Sequence, residues 1–496
     1  MRMMNRSLLC WMLMIVCLPA FSSAAMLQDK VEEHRFENGL TLLMVERHTS
    51  PTVSAYISFR VGGVDETSER RGVAHLLEHM LFKGTKTLGT SDYQREKDLL
   101  TQIEAVGSEI DRLKISNPPD TDRLEDLRAQ LKELQRVHHP LVVKDEFSRI
   151  YSENGGIGYN AFTSKDQTTY LISLPANKLE LWAAIESDRL RNAVLREFYT
   201  EREVVREERR RSYESRPGGK LYETLLATAY RFHPYRNPVI GWDSDIDNLT
   251  LPETREFLQR YYAPANMVIA LVGDFDSIEA RDLVERYFGD LPQGEAVHGV
   301  AEREPPQRGE RRATVLFDAE PQVAIAYHKP TMPHADDYAF DLLMHILAEG
   351  RSSRLYRNLV VEKQLASSVN VYGAPGARYD NLMVISATPR YPHTPAELEA
   401  AIYTELDRID SQPITREELD IARKRILTDS LRMLNSNSGL ARMLSNYQVL
   451  LGDWRYLVTY EQAIRQVTPE DVAALVQRYL KPEQRTVVTL QREAGS

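Results

Sequence analysis

Two stretches of the chain repeat one another, and this repetition constrains the fold more than any other feature. Gln259-Arg260-Tyr261, Pro264 and the apolar run Val268-Ile269-Ala270-Leu271 return as Gln477-Arg478-Tyr479, Pro482 and Val487-Val488-Thr489-Leu490, the Gln, Arg, Tyr and Pro positions standing 218 residues apart. Each copy follows a helix start, Leu251-Pro252-Glu253 and Thr468-Pro469-Glu470, where proline costs no hydrogen bond because amides of the first turn are unpaired in any case. Helix, turn and buried strand, duplicated, predict an α+β fold of two related halves, each an antiparallel sheet packed by helices.

Residues 291–312, rich in Pro, Gly, Glu and Arg and without apolar periodicity, have the composition of a linker. They divide a first domain, 26–290, from a second, 313–496. The first opens with an Asn38-Gly39 hairpin signal before Leu40, Leu42 and Val45 and an alternating run from Val53 to Val61. Later, Ile103, Val106, Ile110 and Leu113 recur at spacings of three and four, Asn117-Pro118-Pro119 breaks the pattern, and Leu124, Leu127, Leu131 and Leu134 resume it. This predicts an antiparallel helical hairpin inserted over 91–145, serving as a passive surface insertion or as an arm that docks a partner. His138 and His139, beside it, are expected on the surface.

Composition narrows the function. The chain has 496 residues, 42% hydrophobic and 27% charged, which excludes a polytopic membrane protein, a disordered chain and a fibrous one. A net charge of −10 opposes binding to phosphate backbones, so no nucleic-acid partner is expected. At the N-terminus, Arg2 and Arg6, an apolar run from Leu8 to Phe21, and Ser22-Ser23-Ala24-Ala25 read as a cleavable signal peptide over 1–25. The run is shorter than the ~20 residues that span a bilayer, so export without a stable membrane span is expected, to the periplasm of a Gram-negative cell. Cys10 and Cys17, the two cysteines, both lie in that segment; the mature chain then has no disulfide, cysteine nucleophile or thiolate metal ligand.

The chemistry concentrates in Gly72-Val73-Ala74-His75-Leu76-Leu77-Glu78-His79-Met80. On a helix His75, Glu78 and His79 share an arc of about 100°, so two imidazoles and a carboxylate project together. The imidazoles suit a zinc ion, and the carboxylate between them can take a proton from metal-bound water; the same pattern also fits two histidines satisfied in a core or on a surface. A third ligand is sought on an inward helix face. In Glu201-Arg202-Glu203-Val204-Val205-Arg206-Glu207-Glu208, a helical wheel puts Glu201, Val204, Val205 and Glu208 on one apolar face, with the arginines elsewhere. An inward carboxylate is costly unless paired or metal-bound, although an ordinary salt-bridged helix also accounts for this segment.

At these residues the sequence resembles the M16 (pitrilysin, insulinase) zinc metallopeptidases, in particular the two-domain branch related to mitochondrial processing peptidase. Asn38-Gly39-Leu40, Gly72 to Thr85, Asn160-Ala161-Phe162-Thr163-Ser164, Glu201-Arg202 with Glu208, and Gly350-Arg351-Ser352-Ser353-Arg354-Leu355 carry the likeness over nearly the whole mature chain. The resemblance implies two halves closing as a clamshell around a chamber, and one zinc ion per chain held by His75, His79 and Glu208. It further implies Glu78 as general base and Glu201 as the acid supporting the site. Asn160, Ala161 and Phe162 then lie on an edge strand that binds peptide substrates in extended form, which favours unfolded chains. His79 and Glu208 are 129 residues apart, about 50 more than is usual in the family, which matches the inserted hairpin.

The second half departs from the pattern. Phe340-Asp341-Leu342-Leu343-Met344-His345 has no histidine pair, and Val360 and Ser367 stand where that half often supplies an arginine and a tyrosine to the substrate. The expectation is a zinc endopeptidase working as a heterodimer with a related chain that supplies them; a homodimer or monomer remains open if Arg354 or Arg357 substitutes. The alternative is a catalytically silent zinc-binding assembly subunit.

Overall fold

The repeated pattern folds twice into the same unit. In the computed structural model, which describes residues 27–118 and 120–492, Thr250 with Glu253 and Thr468 with Asp471 close reciprocal capping boxes at two helix starts. Each satisfies two amides that the first turn leaves open. Each helix then passes through a one-turn 3₁₀ segment, Pro264–Asn266 or Pro482–Gln484, into a buried strand. The expected signal peptide lies outside the described residues.

The strands are β1 (Glu32–Arg35), β2 (Thr41–Glu46), β3 (Thr52–Phe59), β4 (Ile157–Thr163), β5 (Thr168–Pro175) and β6 (Met267–Gly273) in one sheet, ordered β1-β2-β6-β3-β5-β4. The second sheet has β7 (Arg311–Leu316), β8 (Gln322–Lys329), β9 (Ala366–Ala374), β10 (Asn381–Pro389) and β11 (Arg485–Gln491), ordered β7-β11-β8-β10-β9. Neighbours are antiparallel except for one parallel pair in each, β2 with β6 and β7 with β11. The helices that build the site and join the halves are α1 (Val73–Met80), α2 (Tyr93–Lys114), α3 (Thr121–His138), α4 (Phe198–Arg209), α5 (Pro217–Ala229), α6 (Leu251–Tyr261), α7 (Ala335–Ala348), α8 (Asn437–Leu451) and α9 (Pro469–Tyr479).

The alternation expected along Val53 to Val61 does not mark a wet face, because β3 is buried on both sides. Val53, Ala55, Ile57 and Phe59 join the core beneath α1. Tyr56 on the other face joins Leu43, Val45, Val268 and Ala270 under Leu440, Ala441 and Leu444 of α8. That helix comes from the far half of the sequence. The exchange is mutual: Leu221, Leu225 and Leu226 of α5 cover Ala324, Ala326, Val384 and Val488 of the second sheet. Each half therefore completes its sandwich with a helix from the other, and the halves cannot separate without exposing two apolar faces. Leu444 is fully buried, so Leu444→Ala is expected to cost about 2–5 kcal/mol in denaturant unfolding. A loss within measurement error would contradict this packing.

The linker is tied down along its length. Glu295 O accepts from Asn266 Nδ2 at 2.8 Å, Val297 N donates to Asn266 Oδ1 at 2.7 Å, and Val300 N donates to Tyr379 Oη at 2.8 Å; β7 begins at Arg311, inside the expected linker.

Helices α2 and α3 form an antiparallel pair closed by Val106, Ile110, Leu113, Leu124 and Leu127. His139 is exposed, but His138 is buried, contrary to the surface position expected for both. Its Nε2 lies 2.8 Å from Glu96 Oε1, and Arg196 Nε donates to the same oxygen at 2.8 Å. Burial alone would push the Glu96 carboxyl up; these two partners bring it down to about 2. The apolar period of α3 carries no sign of this, since a hydrogen-bonded polar trio rather than a hydrophobe plugs the base of the hairpin.

Candidate metal centre

Helix α1 buries Val73, Ala74, Leu76, Leu77 and Met80, which turns His75, Glu78 and His79 to its other side. Two devices fix its start. Gly72 has φ 89°, and a Cβ there would stand 2.4 Å from Ile240 O, so only glycine fits. Glu66 accepts from Gly72 N and Ala74 N, both at 2.9 Å, satisfying amides the first turn leaves open. Burial pushes the Glu66 carboxyl up to about 8, against the pull of these hydrogen bonds. The sequence reading missed Glu66: it sits in a polar loop among other acids, with no periodic signal.

The helical wheel for α4 needs correction. Glu201 and Val205 are buried, but Val204 is exposed and Glu208 only half-buried, while Arg202 and Arg209 are buried. Each buried arginine has a carboxylate: Arg202 donates to Asp111 Oδ1 at 3.0 Å, Arg209 to Glu223 Oε1 at 2.6 Å. Hydropathy places arginine outside; ion pairing in a tight fork allows it inside.

The two helices meet at the candidate ligands. His75 Nε2 lies 3.7 Å from Glu208 Oε1, and His79 Nε2 lies 3.4 Å from Glu208 Oε2. One ligand atom from each of His75, His79 and Glu208 falls within 4.8 Å of the others, the one such group among the described residues. Two imidazole nitrogens and a carboxylate oxygen are a zinc-type donor set, and three protein ligands leave a coordination position open. His79 Nδ1 is 2.9 Å from Glu201 Oε1, and Lys83 Nζ is 2.6 Å from Glu201 Oε2. This carboxylate–histidine pairing fixes the ring with Nε2 directed at Glu208, as metal-binding histidines usually are. His75 Nδ1 is buried without a partner. These residues fit a divalent metal.

The protonation tendencies follow from the crowding. Burial, helped by repulsion from His79, lowers His75 to about 4. His79 is driven the other way, to about 9: burial opposes its charge, but Glu201 and Glu208 outweigh it. Glu201 falls to about 2 because His79 and Lys83 overcome the burial penalty, and a hydrogen bond from His79 lowers Glu208. Glu78 is raised by burial, although Thr163 Oγ1 donates to its Oε2 at 2.5 Å. Without the Glu201 side chain, Nδ1 of His79 loses its acceptor; Glu201→Ala is therefore expected to weaken zinc binding about 10–100-fold in a chelator competition, and unchanged affinity would contradict this role.

Asn160, Ala161 and Phe162 lie on β4, the outer strand of the first sheet, bonded only to β5. Asn160 is exposed and Phe162 half-buried; the Ala161 side chain is buried, so that residue has only its backbone to offer a ligand. In the second half, α7 follows β8 as α1 follows β3, but has no histidine pair. Val360 is buried and Ser367 exposed. Arg354 is committed to Glu418, at 2.7 and 2.8 Å, and to Gln412 O and Pro413 O. Arg357 faces Glu362 at 3.6 Å.

Two α+β halves, one bearing this cluster and the other without it, define a two-domain metallopeptidase fold. The family model described as insulinase (peptidase family M16) matches residues 41–111 and 143–243, and the peptidase M16 inactive domain matches 248–426. The chain belongs to peptidase family M16. The unmatched 112–142 covers much of the helical hairpin. A zinc protease PqqE of Helicobacter pylori is 28% identical over 485 residues, covering 96% of each chain. A probable mitochondrial-processing peptidase subunit beta of Schizosaccharomyces pombe is 23% identical over 460 residues, 90% of this chain and 87% of that one. Among solved structures, a protease from Helicobacter pylori superposes with a TM-score of 0.78 at 28% identity, over 93% of this chain and 99% of that one. The first half of the periplasmic protease PqqL of Escherichia coli shares the fold, with a TM-score of 0.68 at 19% identity over 93% of this chain and 92% of that one.

Proposed function

We propose that this chain is a zinc-dependent endopeptidase that hydrolyses unfolded peptides. The observation that carries the reading is the convergence of His75, His79 and Glu208 from two helices, with the Glu78 carboxylate beside them. His75, His79 and Glu208 would hold one zinc ion, whose bound form supplies Lewis acidity to a water molecule and to the scissile carbonyl. Glu78 acts as general base and then as general acid, taking the proton of the attacking water and passing it to the leaving amine. Its raised proton affinity suits both duties, and Thr163 holds the carboxylate in place. Glu201 keeps His79 oriented. The free edge of β4 at Asn160 to Phe162 takes an extended peptide by main-chain pairing, which a folded protein cannot offer.

The domain plan is a signal peptide over 1–25, a zinc-bearing domain over 26–290 with the hairpin insertion at 91–145, a linker over 291–312 and a non-metal domain over 313–496. Export to the periplasm accords with the N-terminal signal, with a relative named as periplasmic, and with the finding that no helix among the described residues is long and apolar enough to cross a membrane.

The working enzyme is a heterodimer with a related M16 chain that supplies an arginine and a tyrosine to the substrate, because Val360 is buried, Ser367 is short, and Arg354 is bound to Glu418. That gap also favours a second reading, a zinc-binding assembly subunit without turnover. Assaying the full chain with zinc on an unstructured peptide, alone and with the related chain co-purified from its host, separates them. Turnover only with the second chain, lost on Glu78→Gln, supports the heterodimeric enzyme. Full turnover by this chain alone removes the need for a partner, and none in either preparation supports the silent subunit.

A further inference from the structure

We infer that the turn joining β9 to β10 in the half without metal ligands, Pro375 to Asp380, positions the general base: it grips the turn that follows β4 and so keeps Thr163 bonded to Glu78. This rests on the endopeptidase reading and deepens it by giving the second half a part in the reaction.

The hairpins β4–β5 and β9–β10 are the outer pairs of their sheets, and their turns meet. Asp166, in the turn from β4 to β5, is buried. Its Oδ2 accepts from Ala377 N at 2.6 Å and from Arg378 N at 3.3 Å, and its Oδ1 accepts from Tyr235 Oη at 2.6 Å. Tyr235 Oη in turn accepts from Arg378 N and Tyr379 N, both at 3.2 Å. Beside Asp166, Gln167 Nε2 donates to Asn446 Oδ1 of α8 at 2.8 Å, a second grip from the same half. Gly376 approaches so closely that a Cβ there would stand 2.3 Å from Tyr235 Oη and 2.6 Å from Asp166 Oδ2; glycine lets the two turns touch. The apolar faces under α5 and α8 already join the halves. What directional hydrogen bonds add to that union is a fixed geometry.

From the gripped turn to the base is a short path. Ser164 Oγ accepts from Asp166 N at 3.2 Å and from Gln167 N at 3.1 Å, and Ser164 N donates to Gln167 O at 2.9 Å, so the turn moves as one piece. Thr163, the residue before it, donates to Glu78 at 2.5 Å. The other support of Glu78 is the start of α1, capped by Glu66. Glu66 follows Asp65, and Asp65 is paired with Arg378 of the same gripping turn. Strand end and helix start are thus both tied, within a residue or two, to Pro375–Asp380. A base that takes a proton from one atom and delivers it to another tolerates little displacement: about 1 Å of error can cost a hundredfold in rate.

The test is a double-mutant cycle in the full chain, loaded with zinc and assayed with its related chain on an unstructured peptide. Asp166→Ala should lower kcat about tenfold or more, with KM and zinc content close to the parent's. Because the effect passes through Thr163, adding Asp166→Ala to Thr163→Val should cost no more than about a further twofold; losses that multiply overturn the inference. Leu440→Ala weakens the union of the halves elsewhere, under Leu43, Tyr56 and Val268, and should keep kcat within about twofold of the parent at a temperature where all variants are folded. An equal loss from Leu440→Ala would reduce the turn to a structural tie and overturn the inference too. If Asp166→Ala does not fold, Gly376→Ala, which displaces the carboxylate from the far side, takes its place in the cycle. Hydrogen exchange reads the same link without turnover. Asp166→Ala should speed exchange of the amides from Asn160 to Ser164 about tenfold or more while β1 and β2 keep the parent's rates, and unchanged exchange there overturns the inference. The reading beneath it fails separately: if no preparation of the parent cleaves peptide while exchange responds as expected, the endopeptidase assignment falls and the grip on Thr163 stands.

Discussion

Glu78→Gln is expected to reduce peptide turnover by about a hundredfold to ten-thousandfold, with zinc content unchanged and substrate affinity altered little. Glutamine has the shape of the glutamate and can still accept from Thr163, so neither α1 nor the ligand cluster should move. It cannot take a proton, and the step that depends on the base is lost. Glu78 offers no atom to the group formed by His75, His79 and Glu208, which is why metal content and catalysis should part company here. Steady-state kinetics beside metal analysis of the same preparation checks this. Turnover within about twofold of the parent would remove Glu78 from the proton transfer.

The largest stability effect is expected where the halves meet. Arg378 of the second half donates to both oxygens of Asp65 in the first, at 2.8 and 3.2 Å, and both side chains are buried. Asp166 accepts from Ala377 N at 2.6 Å and from Tyr235 Oη at 2.6 Å, extending the contact. Burial pushes the Asp65 carboxyl up to about 6 even with Arg378 beside it, a sign of how poorly this site tolerates an unpaired charge. Arg378→Met leaves Asp65 without its partner and should destabilise the protein by about 3–5 kcal/mol. The double variant Asp65→Asn with Arg378→Met removes both charges and should recover much of that loss. Denaturant unfolding checks both. A single variant as stable as the parent would show that the pair contributes nothing to the union of the halves.

Much of this was legible in the sequence. The 218-residue offset announced two related units because capping boxes, proline turns and buried strands are local chemistry, written in adjacent residues. The spacing of His75, Glu78 and His79 announced a shared helix face for the same reason. The exchange of α5 and α8 between the sheets was not legible, since an apolar helix face does not say which sheet it covers. Nor were the buried polar side chains. Arg202 and His138 read as outward-facing until Asp111 and Glu96, 91 and 42 residues away in sequence, are brought to them. Glu66 escaped notice because helix capping from a preceding loop depends on how that loop folds back.

The proposed hydrolysis stands on one divalent metal ion held by His75, His79 and Glu208. Its most direct test is elemental analysis of the purified full chain after zinc loading and removal of excess metal, with Glu208→Ala and His79→Ala prepared alongside. The parent should retain about one zinc per chain, and each variant should retain almost none under the same wash while showing the parent's circular dichroism. A Glu208→Ala protein that keeps one zinc with unchanged affinity would contradict the account.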